Sequence, residues 1–289
     1  MGNVLLVELA TILLAVFTAL QRIYQKQTGT APATGLAYNA LLGLFAAVLF
    51  WAMCGFKFEF TPYSAAIAAG EALLAIAYTL LGFCVMREGG MVLYTLFLMV
   101  GGMMVPYVWG LLFLGEPFAL LRTLGLVLIL GAVILFNSGS QKPSAKVLWM
   151  CAAVFFLNGS VSVLSKLHQI ETVRPVVSTE GLVMLINLSK AVLSAAALLF
   201  VARGPALKQS LPRRGLLLLI AGCSLFGGLS YQLQLMGASN LPATLLYPLI
   251  TGGSILFSAL LDWVWFKEKL SRRGWAGVIL CVVGTILML

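Results

Sequence analysis

Met91–Phe136 reads MVLYTLFLMVGGMMVPYVWGLLFLGEPFALLRTLGLVLILGAVILF, and the chain closes on a second version of it. The echo is LPATLLYPLITGGSILFSALLDWVWFKEKLSRRGWAGVILCVVGTILML, Leu241–Leu289. Each version carries an apolar run with a glycine pair, Gly101-Gly102 or Gly252-Gly253, followed by a lone glutamate at a break, Glu116 or Glu268. A glycine stands nine positions beyond each glutamate (Gly125, Gly277), and another follows further on (Gly131, Gly284). The alignment takes a one-residue gap between the glycine pair and the glutamate, so the repeat is relaxed. Such a repeat implies two halves of one fold, and in a membrane protein it points to a transporter.

Outward from that stretch, the whole chain is apolar. It is 61% hydrophobic and 9% charged, with a mean hydropathy of +1.04, outside the range of a soluble domain of this size. A helix needs about 20 apolar residues to cross the bilayer core. Ten such runs are legible, near residues 4–26, 32–54, 65–86, 91–114, 119–137, 146–167, 175–202, 214–236, 240–266 and 274–289. The expected fold is therefore an all-α integral membrane protein in the cell membrane, with about ten transmembrane helices. Strands of a membrane barrel would alternate in polarity over shorter segments, and these runs do not. Little chain is left for a soluble catalytic domain. The first run lacks a basic leader and a cleavage site, and is expected to stay as a helix.

Charge and cysteines add exclusions. The net charge of +9 sits in short loops, where it sets orientation and meets anionic head groups, so the partner is the lipid bilayer and not nucleic acid. Cys54, Cys84, Cys151, Cys223 and Cys281 are scattered singly in apolar runs, and read as packing residues. His168 stands at a helix end without cysteine or histidine neighbours, which argues against metal chemistry. No cofactor is expected beyond a coupling proton or sodium ion.

The polar ends of the helices show how the halves relate. One constant offset places Thr18 on Asn158 and Lys26 on Lys166, and a similar one places Asn39 on Asn187. Helices 1/6, 2/7, 4/9 and 5/10 then correspond. Five spans per half is odd, so the second half enters the membrane inverted, the arrangement used for alternating access. The expected halves are residues 1–137 and 146–289, joined by the polar linker 138–145.

The chain resembles the drug/metabolite transporter superfamily, in its ten-helix branch with two EamA-type repeats. The matching residues are Pro242, Pro248, Gly252, Glu268, Gly277 and Gly284 in the second half, and Gly101, Glu116, Gly125 and Gly131 in the first. The segment from Asn158-Gly159 to Lys166 is similar to that branch's Trp-Gly to Lys signature, with Asn in place of Trp. The resemblance implies a transporter, and the sequence leaves monomer and homodimer both open. It leaves the substrate open, since the branch handles amino acids, nucleotide precursors, sugars, amines and drugs. The glycines are expected to let helices approach closely. Glu116 and Glu268 are expected to cap the helix that follows each of them.

Ionisable groups inside the hydrocarbon are the candidates for function, since a charge at mid-bilayer costs at least ~2.5 kcal/mol. Lys190 lies mid-span in MLINLSKAVLSAAALLF, with Asn187 and Ser194 on the same helical face. It reads either as a ligand for a carboxylate or phosphate, or as half of an internal ion pair. Glu8 and Glu71 lie at similar depth in the first and third helices. As neighbours they would share a proton, a possible coupling element, and otherwise they are solvated groups near the interface. Arg87-Glu88 and Asp262 read as interfacial. Tyr231, Gln232 and Gln234 are too deep to face lipid cheaply. Tyr247-Pro248 and Tyr94 flank the glycine pairs as candidate substrate walls, or as aromatics packed on glycine. Asn39, the counterpart of Asn187, completes the proposed substrate set.

Basic residues favour the loops after helices 1, 3, 5, 7 and 9: Arg22, Lys26, Arg87, Lys142, Lys146, Arg203, Lys208, Arg213, Arg214, Lys267, Lys269, Arg272 and Arg273. The opposite set has Lys57, Arg122, Lys166 and Arg174. The positive-inside rule puts both termini outside, whereas the resemblance implies both inside. A secondary transporter or facilitator of a small polar metabolite (amino acid, amine, nucleobase or organic acid) is the favoured function. The alternative is a membrane-embedded lipid-handling protein or enzyme. A channel would need a filter-like ring that the sequence lacks.

Overall fold

The computed structural model describes residues 2–29, 31–89, 91–136, 144–202, 205–265, 267 and 272–288. Glu268, Lys142, Arg203, Lys269 and most of the 138–145 linker lie outside them, as do the side chains of Lys208 and Asp262. All regular structure among the described residues is helical. The long helices are α1 Gly2–Thr28, α2 Pro32–Met53, α3 Pro62–Gly89, α4 Met91–Phe113 and α5 Leu120–Phe136, then α6 Ala145–Gln169, α7 Thr179–Val201, α8 Leu217–Asn240, α9 Ala243–Val264 and α10 Arg272–Met288. A six-residue helix, Pro205–Ser210, and a 3₁₀ turn, Arg214–Leu216, separate α7 from α8.

Eight of these helices are long and apolar enough to cross a bilayer. Helices α5 and α10 have 17 residues each. At 1.5 Å per residue that is about 26 Å, slightly less than the hydrocarbon core. The protein is a multi-pass membrane protein.

Capping chemistry sets several boundaries that hydropathy misplaces. Helix α7 begins at Thr179 rather than near residue 175, because the Ser178 side chain accepts the Gly181 N–H and fixes the first turn. Helix α9 begins after Pro242, whose extended backbone ends the preceding connection. Pro248 lies inside α9 and leaves the Thr244 carbonyl without its usual intrahelical donor.

The packing repeats when each helix is exchanged for the one five places along. Helix α2 packs on α7, α4 on α9 and α5 on α10. The α1–α8 contact has its counterpart in α6–α3, α4–α6 in α9–α1, and α3–α7 in α8–α2. Glycines allow the closest of these approaches. A side chain at Gly125 would put its first carbon 2.6 Å from the Gly284 carbonyl oxygen, and one at Gly284 would lie 2.8 Å from that of Gly125. Gly101 lies against the Phe155 backbone and Gly159 against Val105, which brings α4 onto α6.

Both Gly2 and Met288 lie at one end of the bundle, with the α2–α3, α4–α5, α6–α7 and α8–α9 connections; this is the terminal end. The linker end carries the others, and there Lys146 of α6 donates to Glu88 of α3 at 2.9 Å. The apolar core is also shared. One cluster joins Val7, Met103, Ile129, Leu246, Leu249 and Met288 from both halves.

Candidate functional site

Glu71 lies deep in α3 with 1% of its surface exposed. Helix α3 packs on α6, and this contact places Ser165 Oγ 2.9 Å from Glu71 Oε1, to which it donates. From α8, the Tyr231 hydroxyl donates to Oε2 at 2.6 Å, and it also lies 2.7 Å from Ser165 Oγ. A first-half carboxyl is thus held by two second-half hydroxyls. Each supplies the hydrogen bond that a group at this depth requires.

Lys190 of α7 is half-buried, and its charge and that of Glu71 act on one another without a direct ion pair. The field of Glu71 also reaches Tyr78 on its own helix and Tyr247 on α9. Tyr247 donates to the Ser162 carbonyl of α6 at 2.5 Å. Tyr94 of α4 lays its ring against Gly82 of α3, one turn from Tyr78. Tyr78 and Tyr94 are sixteen residues apart, as are Tyr231 and Tyr247. That shared spacing is the sequence signal that would have added Tyr78 to the site. Ser165 carries no comparable signal, because hydroxyls are common in helices.

Other sequence-picked residues lie elsewhere. Asn187 donates to the Val183 carbonyl of its own helix at 2.8 Å, and its backbone oxygen faces Gly43 at the α2–α7 crossing. Asn39 is half-buried. Gln232 donates to Glu180 at 2.6 Å, nearer the terminal end. Glu8 is half-buried in α1, and the partners of Glu71 are Ser165 and Tyr231. The expected sharing of a proton between Glu8 and Glu71 is therefore corrected: their helices are not packed neighbours, because α3 faces α6 and α7 while α1 faces α8 and α9.

The terminal end is clasped by contacts both across the halves and within the second half. Glu116 accepts the Ala243 N–H at 2.6 Å and the Thr244 N–H at 2.8 Å. It caps α9 rather than α5, the helix that follows it, because the α4–α9 contact brings the free N–H groups of α9 within its reach. Buried Lys166 donates to the Ala238 and Leu241 carbonyls, each at 2.6 Å, at the C-terminal end of α8. One carboxylate and one ammonium therefore hold both sides of the α8–α9 turn. Ser239 adds a bond to Gln169 at 2.9 Å, and Glu59 accepts the Ser178 N–H at 2.7 Å. In the α6–α7 loop, backbone N–H groups of Val173, Arg174 and Thr172 hold the Glu171 carboxyl below its ordinary range.

His168 is buried against Ser64, 2.8 Å from Nε2 to Oγ, with Tyr63 stacked beside it. Among the described residues no three metal-binding side chains gather. A cavity of about 540 Å³ opens at the linker end between Thr28, Thr34, Gln209, Ser210 and Arg213. Glu71, Ser165, Tyr231 and Lys190 do not line it.

The chain belongs to the EamA-like transporter family, whose model matches residues 144–289. It is similar to the multidrug resistance protein EbrA of Bacillus licheniformis, 33% identical over 61 residues, or 21% of this chain. The match spans 58% of that relative. A crystal structure shares the fold with a TM-score of 0.79, covering 99% of this chain and 96% of the other at 16% identity.

Proposed function

We propose that the protein is a secondary transporter that moves a small polar metabolite by alternating access of two inverted five-helix halves. The observation that carries this reading is the meeting of Glu71, Ser165 and Tyr231 from α3, α6 and α8, with Lys190 close enough to sense the carboxyl. Burying such groups costs several kcal/mol on membrane scales, and structural packing alone does not require them. Lys190 and the tyrosines form the substrate chamber, and Glu71 is the coupling group. The exchange symmetry of the packing supports the inverted halves.

The clasp at the terminal end supports closure of that end, and alternating access requires it to open. Cysteines replacing Glu59 of the first half and Ser178 of the second, in a background without the five native cysteines, should be joined by a short bis-thiol reagent. In vesicles with an imposed proton gradient, the uncoupled pair should accumulate a solute from a panel of amino acids, amines, nucleobases and organic acids. Cross-linking should stop accumulation, and cleavage of the link should restore it. Undiminished uptake by the cross-linked protein would overturn alternating access at this end. Absence of uptake for every class would overturn the transporter reading.

A further inference from the structure

The Glu71 cluster has more close oxygen contacts than hydroxyl protons to fill them. Ser165 Oγ is 2.9 Å from Glu71 Oε1, 2.7 Å from the Tyr231 hydroxyl and 3.0 Å from the Val161 carbonyl. The Tyr231 hydroxyl is 2.6 Å from Glu71 Oε2. Four contacts are thus served by two hydroxyl protons, one on each of Ser165 and Tyr231. If both protons go to an ionised Glu71, the other two contacts press lone pair against lone pair, which is unfavourable in a buried site. A proton on Glu71 lets the chain run one way. Glu71 donates to Tyr231, Tyr231 to Ser165, and Ser165 to the Val161 carbonyl, leaving one contact unfilled.

Lys190 supplies the second observation. Among the described residues no acceptor hydrogen-bonds its ammonium, and the residue is half-buried. Its three donors are free, and its charge acts on Glu71. The groups facing Glu71 are Ser165 from α6, Lys190 from α7, Tyr231 from α8, Tyr247 from α9 and Tyr78 on its own helix. Lys190 is the cation among them. With Glu71 protonated the chamber carries one positive charge, and a bound anion neutralises it. With Glu71 ionised, the same anion would bring a net negative charge into low dielectric.

We propose that the chamber binds the carboxylate group of an organic anion on Lys190 together with a proton on Glu71, so that anion and proton cross as a neutral load. This rests on the transporter reading and names its substrate class. The test uses the purified full chain, with acetate, succinate and benzoate as probes, each beside its amide, and benzylamine as the cation. Carboxylates should raise thermal stability while amides and benzylamine do not. Acetate or benzoate affinity should fall about tenfold per pH unit once Glu71 loses its proton, because one proton is linked to each anion. Glu71→Gln should flatten that dependence. Lys190→Met should weaken binding about ten- to a hundred-fold, and Lys190→Arg should restore most of it. Gel filtration checks that each variant is folded, and the arginine variant still tests the charge if the methionine one is not. Amides or benzylamine binding as well as the acids would overturn the proposal. So would pH-independent binding in the unaltered protein, or Lys190→Met binding unchanged. A protein that transports solutes in vesicles but binds none of these carboxylates loses the inference and keeps the transporter reading. One that transports nothing loses both.

Discussion

Glu116 shows how a residue can be legible in kind and misread in partner. A lone acid at a helix break announces a cap, and the sequence reading assigned it to α5 because α5 comes next. The structure gives it instead to α9, 127 positions away, through two backbone N–H bonds. Sequence spacing carries no information about a partner brought near only by the α4–α9 contact. The same limit hid Ser165 beside Glu71 and the two carbonyls beside Lys166. Depth was readable, since Glu71 and Lys190 stand out in apolar runs, but their neighbours were not. Glu116→Ala should destabilise the protein by about 1.5–3 kcal/mol by stranding two N–H groups. Thermal unfolding in detergent checks this, and a Glu116→Ala protein as stable as the original would show that water serves the α9 terminus equally well.

At the scale of elements, the glycines of the repeat were read as points of close approach, which the structure shows at Gly101, Gly125 and Gly284 and not at Gly131. Gly284 and Gly125 sit backbone to backbone where α5 crosses α10, so neither has room for a side chain. Gly131 is the internal control. A first side-chain carbon there would rest 3.7 Å from Leu280 Cδ1, an ordinary contact. Gly284→Val should force α5 and α10 apart and lower the melting temperature markedly, at a cost of about 1–3 kcal/mol for overpacking. Gly131→Ala should be neutral or slightly stabilising, because alanine favours the helix. Equal melting temperatures for the two variants would mean that the α5–α10 crossing adds little to stability. The helices themselves were legible from hydropathy to within a few residues, except where a serine cap or a proline moved a boundary.

For the whole molecule, the distribution of basic residues carries an expectation of membrane orientation. The linker end carries, among described residues, Arg22, Lys26, Arg87, Lys146, Arg213, Arg214, Lys267, Arg272 and Arg273. The terminal end carries Lys57, Arg122, Lys166 and Arg174. Two of these four are occupied within the protein: Lys166 is buried on the α8 carbonyls, and Arg174 lies over the Tyr63 ring at 4.9 Å. Charges are engaged at the linker end too, where Lys146 donates to Glu88 at 2.9 Å and Arg87 lies 3.8 Å from it, so the bias is the one the sequence itself carries. The expectation is a linker end in the cytoplasm and a terminal end outside. Thr172 and Gln209 are exposed reporters of the two ends. In a background lacking the native cysteines, Thr172→Cys should react with a membrane-impermeant thiol reagent on intact cells, and Gln209→Cys should react only after the cells are opened. The opposite labelling would place both termini inside, and the substrate chamber would then be clasped shut towards the cytoplasm by Lys166 and Glu116.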